Sequence, residues 1–493
     1  MLACRTFAAA DQIRFADISG DHNPMHLDAV LARRTPAGVP VVHGVQMLLW
    51  ALDVLARADA RKPPIRRLTA RFKRFVAVDE TVAAALTKRT EATAWLDLAA
   101  SGLRAAQIAV DFGAPARVAE TPSGEAVCAP AAPNDLTFEQ MEGLFGRLAF
   151  AGRPDAVAAM FPAASAWLGP RRIAALAAST LLVGMVCPGL HSMYSSLIVD
   201  TCAEPATENR LGFRVVRTDP RFRMVRLAIA GGGWVGAVES FARLPPVPQA
   251  PSHELVGVVG PAEFAGSFAL VVGGSRGLGE VTAKLLAAGG AKVVITYRVG
   301  SAEAEAVARD IRAAGGNCEA LPYDTGRAAE PQLARVDDAP THAYYFATPA
   351  IFKTQAELFA RARLDAFLNV YVDGFLDLAQ ALRARRNDVS LFYPSSVFVT
   401  ERPRGMVEYA MAKAAGETLC SEMNLAWAPL HITVDRLPRL PTDQTASVIE
   451  TALPSPVACL LPVVREAQSW PRRAKREFLT MASGLSVQRT VEL

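Results

Sequence analysis

Apolar and polar positions divide the chain into three stretches. In the first, an apolar helix is predicted over residues 45–56, followed by strand-like runs at 68–78, 81–87 and 105–112. The second repeats that order, with an apolar helix at 174–186 and strands at 195–201, 212–217, 224–230 and 236–242. A long apolar helix followed by antiparallel strands predicts a sheet wrapped around a helix. The third stretch reads strand, glycine loop, helix, strand, which is the βαβ order of a parallel, doubly wound sheet.

Two segments between these stretches are built like linkers. Residues 113–134 (GAPARVAETPSGEAVCAPAAPN) are rich in Ala, Pro and small polar residues, and 244–252 (LPPVPQAPS) are dominated by proline. The expected domains are therefore 1–125, 134–246 and 262–493. A chain of 493 residues is too long for one core, so several domains are expected.

Composition narrows the function classes. With 52 basic against 48 acidic residues, a formal charge of +4 gives no electrostatic footprint for nucleic acid. The seven cysteines are scattered, without a CxxC pair or metal-ligand spacing, so reduced cytoplasmic thiols and no metal site are expected. Met-Leu-Ala-Cys at the start has the look of a lipoprotein box, but no basic or apolar region precedes it. The most membrane-like stretch, 173–199, is interrupted by Pro188-Gly189 and followed by His191 and serines. It reads as a core helix passing into a strand, so no membrane span is expected.

Residues 15–28 read FADISGDHNPMHLD, and Val41-Val42-His43-Gly44 follows. These residues resemble the MaoC-like (R)-specific enoyl-CoA hydratases, whose hot-dog domains carry Ser-Gly-Asp-x-Asn-Pro-x-His and a later His-Gly. The likeness spans about the first 110 residues, including RFKRFVAVDE at 71–80. It implies that Asp21 and His26 form the catalytic pair and that Gly44 offers a backbone N–H to the thioester oxygen. Asn23 and Pro24 would hold the loop. His22 is expected to face solvent, and His43 to belong to the helix entrance instead of acting as a second base.

Removing water from a 3-hydroxyacyl thioester needs a base at the weakly acidic Cα–H and an acid at the departing hydroxyl, tasks that a carboxylate and an imidazole can share near neutral pH. Charge builds on the thioester oxygen as the Cα proton leaves, so a fixed N–H at a helix N-terminus favours the transition state. No Asp-x4-His occurs in residues 136–243, and residues 188–192 (PGLHS) only echo the His-Gly turn. A degenerate second hot-dog that completes the substrate tunnel is expected there. The alternative, an independent site at His191, competes with the ordinary role of a buried histidine as a satisfied core residue.

Residues 270–279 read LVVGGSRGLG, with a helix expected at 280–288 and a strand at 292–297, so phosphates would sit on a helix N-terminus. Ser396 and Tyr409-Ala-Met-Ala-Lys413 come far downstream. Four apart on a helix, Tyr409 and Lys413 share one face. The set resembles the short-chain dehydrogenase/reductases over about 200 residues. That resemblance implies catalysis by Ser396, Tyr409 and Lys413, with the ammonium lowering the phenol's pKa. It also implies dinucleotide contacts from Gly273, Ser275, Arg276, Gly277, Leu278, Gly279, Asp324, Ala347, Tyr409, Lys413 and Thr442, with Lys413 bonding the nicotinamide ribose. The second strand ends Ile-Thr-Tyr-Arg, without the acidic residue of NAD-preferring members, and Arg276 and Arg298 can face a 2′-phosphate, so NADP(H) is expected. Two positions depart from the family: Phe346-Ala347-Thr348-Pro349 replaces Asn-Asn-Ala-Gly, and Tyr371 falls where a relay asparagine is expected, with Asn369 two positions away.

The expected whole is an α+β double hot-dog followed by an α/β Rossmann-type doubly wound parallel sheet. It would reduce 3-oxoacyl thioesters of coenzyme A or acyl carrier protein with NADPH and dehydrate the (R)-3-hydroxyacyl product to the trans-2-enoyl thioester, in a biosynthetic direction. The reverse pair of reactions in β-oxidation and a structural or carrier-docking role for one inactive module are the alternatives. Hot-dog domains often pair, so a homodimer is compatible with this reading.

Overall fold

The apolar run in the first stretch becomes the helix Gly44–Ala58, in which residues 45–56 are all buried. Each large aliphatic or aromatic side chain enclosed this way contributes about 1.5–3 kcal/mol relative to exposure, so the helix is held by its surroundings on all sides. In the computed structural model of the protein, residues 1–115, 124–202, 209–351, 358–445 and 452–470 are described. They fall into two units, Met1–Pro246 and a second from Val247 onward.

The first unit contains one eleven-stranded sheet. Its strands are β1 (Ala3–Thr6), β2 (Ile65–Phe72), β3 (Thr81–Arg89), β4 (Thr93–Ala100), β5 (Leu103–Phe112), β6 (Ala126–Val127), β7 (Phe145–Ala149), β8 (Ser192–Thr201), β9 (Arg210–Asp219), β10 (Met224–Gly231) and β11 (Trp234–Ala242). Their order is β1-β3-β4-β5-β2-β8-β11-β10-β9-β7-β6. Outward from the middle, the succession β2, β5, β4, β3, β1 on one side matches β8, β11, β10, β9, β7 on the other. The halves join where β2 and β8 pair antiparallel, from Arg67 opposite Asp200 to Arg71 opposite Ser196.

The second buried helix, Pro170–Leu181, runs into a wider π turn, Leu182–Val186. Both helices and the strands around them share one apolar core. Asp53, on the helix Gly44–Ala58, crosses between the halves: its Oδ1 accepts from the backbone N–H of Ala163 at 2.7 Å and of Ala164 at 3.0 Å, capping the helix Pro162–Leu168.

Several local expectations need correction. The strand expected at 68–78 ends at Phe72; the chain then turns through Asp79, which has a positive φ of 67°, and Glu80 closes the turn by accepting from Arg74 and from the backbone N–H of Ala77. The segment 113–134 is not linker throughout. Its residues Ala126–Val127 pair parallel with β7, while 116–123 lie outside the described residues. Pro188-Gly189 follows the second buried helix, whereas His43-Gly44 opens the first, so the echo between them is not a structural equivalence.

The second unit holds six parallel strands: β12 (Phe268–Val272), β13 (Lys292–Tyr297), β14 (Asn317–Pro322), β15 (His342–Tyr345), β16 (Ser390–Ser396) and β17 (His431–Leu437), in the order β14-β13-β12-β15-β16-β17. Leu270 and Val272 face one apolar core, Ala269 and Val271 the other, as expected of a sheet covered on both sides. The order reverses between β12 and β15, which puts a crevice at their carboxyl ends. Among the described residues no helix is long and apolar enough to cross a membrane.

Candidate active sites

In the first unit the glycine-capped helix Ala9–Ser19 delivers the chain to Asp21, and the Asn23 side chain caps the short helix Pro24–Leu27 that carries His26. Asp21, His26 and His43 come together, with one side-chain ligand atom of each lying within 4.8 Å of the others. Asp21 and His43 are fully enclosed, while His26 keeps partial exposure and His22 faces solvent. His26 Nδ1 lies 2.7 Å from the Val41 carbonyl oxygen, to which it donates. That bond fixes the tautomer and leaves Nε2 as the basic nitrogen.

His43 packs flat on His26, with ring centres 3.7 Å apart and planes 22° apart. Its Nδ1 is 2.9 Å from Gln12 Oε1 and its Nε2 3.1 Å from the Asp21 carbonyl oxygen. One carboxylate beside two imidazoles invites comparison with a metal triad. Both ring nitrogens of His43 and Nδ1 of His26 are already paired with oxygen atoms, however, so the trio suits proton handling better than chelation. Gly44 is the first residue of its helix, where backbone N–H groups have no intrahelical acceptor.

Burial sets the acid–base character. It raises Asp21 above the usual carboxylate range, against the pull of His26, the Thr180 hydroxyl and the Asn23 N–H. It lowers His26 below the ordinary imidazole value, against the attraction of Asp21. His43 is lowered well below that value, by burial and by His26. A carboxyl group pushed up and an imidazole pushed down are brought toward one another in proton affinity, which favours exchanging protons with a substrate.

Sequence reasoning missed what the second half of the sheet brings to this site. Thr180 Oγ1 donates to Asp21 Oδ2 at 2.6 Å, and Asn23 Nδ2 donates to the carbonyl oxygens of Gly184 at 2.9 Å and Gly189 at 3.2 Å. Gly184 lies so close that an added Cβ would fall 2.2 Å from Asp21 Oδ1. The available signal was Ser179-Thr180, two hydroxyls inside the apolar run of residues 173–183. His191 is placed elsewhere, its Nε2 3.2 Å from Asp135 Oδ1, and burial lowers it.

In the second unit Ser396 ends β16, and the helix Val407–Ala426 carries Tyr409 and Lys413 on one face. All three are buried, and Ser396 hydrogen-bonds Tyr409. Contrary to the expectation of a lowered phenol, burial raises Tyr409 above its free value, with Ser396 opposing. Lys413 is itself pulled down to about 7 by burial. Its Nζ donates to the Pro394 carbonyl at 2.6 Å and sits 6.0 Å from the Tyr409 ring centre. Tyr371, in the position of the expected relay asparagine, lies in the π turn Asn369–Asp373 and covers the ammonium with its ring, 3.9 Å from the centre. Its hydroxyl is 2.5 Å from Thr348 Oγ1.

The glycine loop fits a dinucleotide. Gly273 has a φ of 81°, and a Cβ there would meet the backbone of Phe346 and Ala347 at 2.9 Å; one at Gly279 would strike the Gly273 carbonyl oxygen at 2.3 Å. Only glycines allow the loop to fold this tightly against the start of the helix Gly277–Ala288, whose N–H groups are left for phosphate. Ser275 is buried in the loop, Leu278 is the second residue of the helix, and Thr442 faces Gly277, with Cγ2 3.6 Å from the position of an added Cβ. Arg298 is exposed after β13, and Arg276 pairs with Asp443 at 3.5 Å. Asp324 Oδ1 accepts from the Gly326 N–H at 3.0 Å, in the turn after β14.

Comparison with known proteins bears on both units. Residues 3–95 match the family described as MaoC like domain, and residues 267–448 match short chain dehydrogenase. The 3-oxoacyl-[acyl-carrier-protein] reductase FabG of Aggregatibacter actinomycetemcomitans is 28% identical over 178 residues, covering 34% of this chain and 72% of that protein. The 3-oxoacyl-[acyl-carrier-protein] reductase of Synechocystis is 47% identical over 62 residues, 13% of this chain and 25% of its own length. Among solved structures, a short chain dehydrogenase from Burkholderia cenocepacia in complex with NADP is 28% identical and covers 37% of this chain and 78% of that one, with a TM-score of 0.34.

Proposed function

We propose that this chain, which carries a MaoC-like domain at its N-terminus and a short-chain dehydrogenase domain at its C-terminus, catalyses two consecutive reactions on acyl thioesters. It reduces a 3-oxoacyl thioester to the (R)-3-hydroxyacyl thioester with NADPH, then removes water to give the trans-2-enoyl thioester. The observation that carries the reading is that one polypeptide holds both proton-handling groups: Asp21 with His26 beside a helix opened by Gly44, and Ser396 with Tyr409 and Lys413 beside a glycine loop.

For dehydration, the neutral His26 Nε2 takes the Cα proton, while Asp21, held above the usual carboxylate range, gives its proton to the departing hydroxyl. The N–H at Gly44 stabilises the charge that develops on the thioester oxygen. For reduction, the glycine loop would hold NADPH, whose chemistry would be to supply the hydride. Ser396 orients the carbonyl, Tyr409 protonates its oxygen, and Lys413 holds positive charge nearby and would bond the ribose. Selection of the 2′-phosphate rests on Arg298 and Arg276, with no carboxylate at the end of β13. Residues 1–125 are read as the catalytic hot-dog, 134–246 as a second one without its own pair, and 262–493 as the reductase; the mirrored strand succession supports the first two assignments. A coenzyme A or acyl-carrier-protein thioester as substrate and a cytoplasmic location belong to the same proposal. Incubation of 3-oxoacyl thioesters with NADPH, followed by mass spectrometry, tests it: sequential appearance of 3-hydroxyacyl and enoyl products is expected, and unchanged substrate across chain lengths contradicts it.

A further inference from the structure

Asp21 sits in a pocket made largely by residues far away in sequence. Thr180 Oγ1 donates to its Oδ2 at 2.6 Å, and both side chains are nearly inaccessible. Threonines inside helices commonly turn the hydroxyl back to a carbonyl of the preceding turn, as neighbouring Ser179 does by donating to Leu176 at 2.6 Å. Thr180 instead spends its hydroxyl on Asp21. The surrounding geometry enforces this contact: the π turn Leu182–Val186 brings Gly184 against the carboxylate, where an added Cβ would come within 2.6 Å of three of its atoms. Asn23 Nδ2 ties the Asp21 loop to the Gly184 and Gly189 carbonyls.

We infer that Thr180 is a positioning residue for the dehydration at Asp21, and that the half of the sheet lacking an Asp–His pair supplies an essential part of the other half's active site. The inference rests on the dehydratase reading above. When Asp21 protonates the departing hydroxyl it becomes a buried carboxylate, and a hydroxyl already aimed at Oδ2 stabilises that charge as it forms. An interaction stronger in the transition state than in the ground state appears in kcat more than in KM. The other groups facing Asp21 are His26, His43, His22 and the Asn23 N–H.

The test is steady-state hydration of crotonyl-CoA and longer enoyl-CoA thioesters by full-length wild type, Thr180→Val, Thr180→Ser, Gly184→Ala and Asp21→Asn, each over a pH range and with thermal melts alongside. Thr180→Val is nearly isosteric. It is expected to lower kcat by roughly 10–100-fold with KM changed less than threefold, and to move the alkaline limb of the profile to higher pH, because Asp21 loses a donor that favours its charged form. Thr180→Ser is expected to recover most of the rate and the wild-type limb. Gly184→Ala, which drives a methyl group into the carboxylate, is expected to lose activity without that shift. If Asp21→Asn is inactive while Thr180→Val keeps the wild-type kcat and pH profile, the inference is overturned and the dehydratase reading stands. The inference is also overturned if Thr180→Ser is as impaired as Thr180→Val, which would mark a packing role. Absence of hydration by the wild type at every chain length overturns the dehydratase reading, and this inference with it.

Discussion

The ammonium of Lys413 lies 3.9 Å from the centre of the Tyr371 ring, and the backbone carbonyl of Pro394 holds it from another side at 2.6 Å. Burial favours the neutral amine; the ring face and the carbonyl favour the cation. A desolvated cation–π contact is worth about 2 kcal/mol, on the order of one pKa unit or more.

Tyr371→Leu therefore removes the cover and lets Lys413 lose its proton at lower pH. Reduction of acetoacetyl-CoA by NADPH is expected to fall about tenfold near neutrality, with the alkaline limb shifted downward. Tyr371→Phe keeps the ring, loses only the contact with Thr348, and should retain the wild-type limb. A pH profile of kcat/KM for the three proteins checks this.

Lys413 at about 7 against a free value of 10.5 has a consequence for stability. Between those values the unfolded chain binds a proton that the folded chain does not, so this group makes stability rise with pH across the window, and its penalty is full below it. Lys413→Met should melt higher than wild type at neutral pH and show a flatter dependence toward alkaline pH, while reduction is lost. Calorimetry of the unit's transition measures it.

The hydratase pair gives a bell-shaped profile. The working form holds one proton between the two groups, on Asp21 with His26 neutral, so activity falls on the acid side as the pair gains a second proton and on the alkaline side as it loses its only one. His26→Ala and Asp21→Asn should each cost at least about 100-fold in crotonyl-CoA hydration and leave ketone reduction unchanged. Parallel assays on the same preparations report both activities.

In the proposed function, cofactor choice is assigned to exposed Arg298 and to Arg276, which already pairs with Asp443. Arg298→Asp places a carboxylate where a 2′-phosphate would sit and a 2′-hydroxyl would be welcome. KM for NADPH is expected to rise roughly 10–100-fold while NADH is used better than by wild type. Equal loss with both cofactors would remove Arg298 from the selection.

The nearness of the candidate residues was more legible in the sequence than the long-range pairing of the first sheet. Asp21 with His26, and Tyr409 with Lys413, are close in the chain, so local spacing reports them. Pairing of β2 with β8 joins residues more than a hundred positions apart and leaves no local period to read. β4 alternates buried and half-buried residues as a strand should, but its core side carries Ala94 and Ala100 at either end, a weak hydrophobic signal. Thr180 and Gly184 were hidden for a further reason: inside an apolar helix a threonine and a glycine look like packing, and only the fold brings them to Asp21. Tyr371 showed in the sequence as a departure, yet its position over the ammonium depends on the π turn Asn369–Asp373.

The central claim is that one chain carries two working proton-transfer centres acting in succession. It is tested most directly by following a 3-oxoacyl thioester and NADPH by mass spectrometry with the wild type, Asp21→Asn and Tyr409→Phe. The account predicts an enoyl product from the wild type, accumulation of the 3-hydroxyacyl thioester with Asp21→Asn, and no conversion with Tyr409→Phe. An enoyl product from Asp21→Asn at the wild-type rate, or reduction undiminished in Tyr409→Phe, would contradict it.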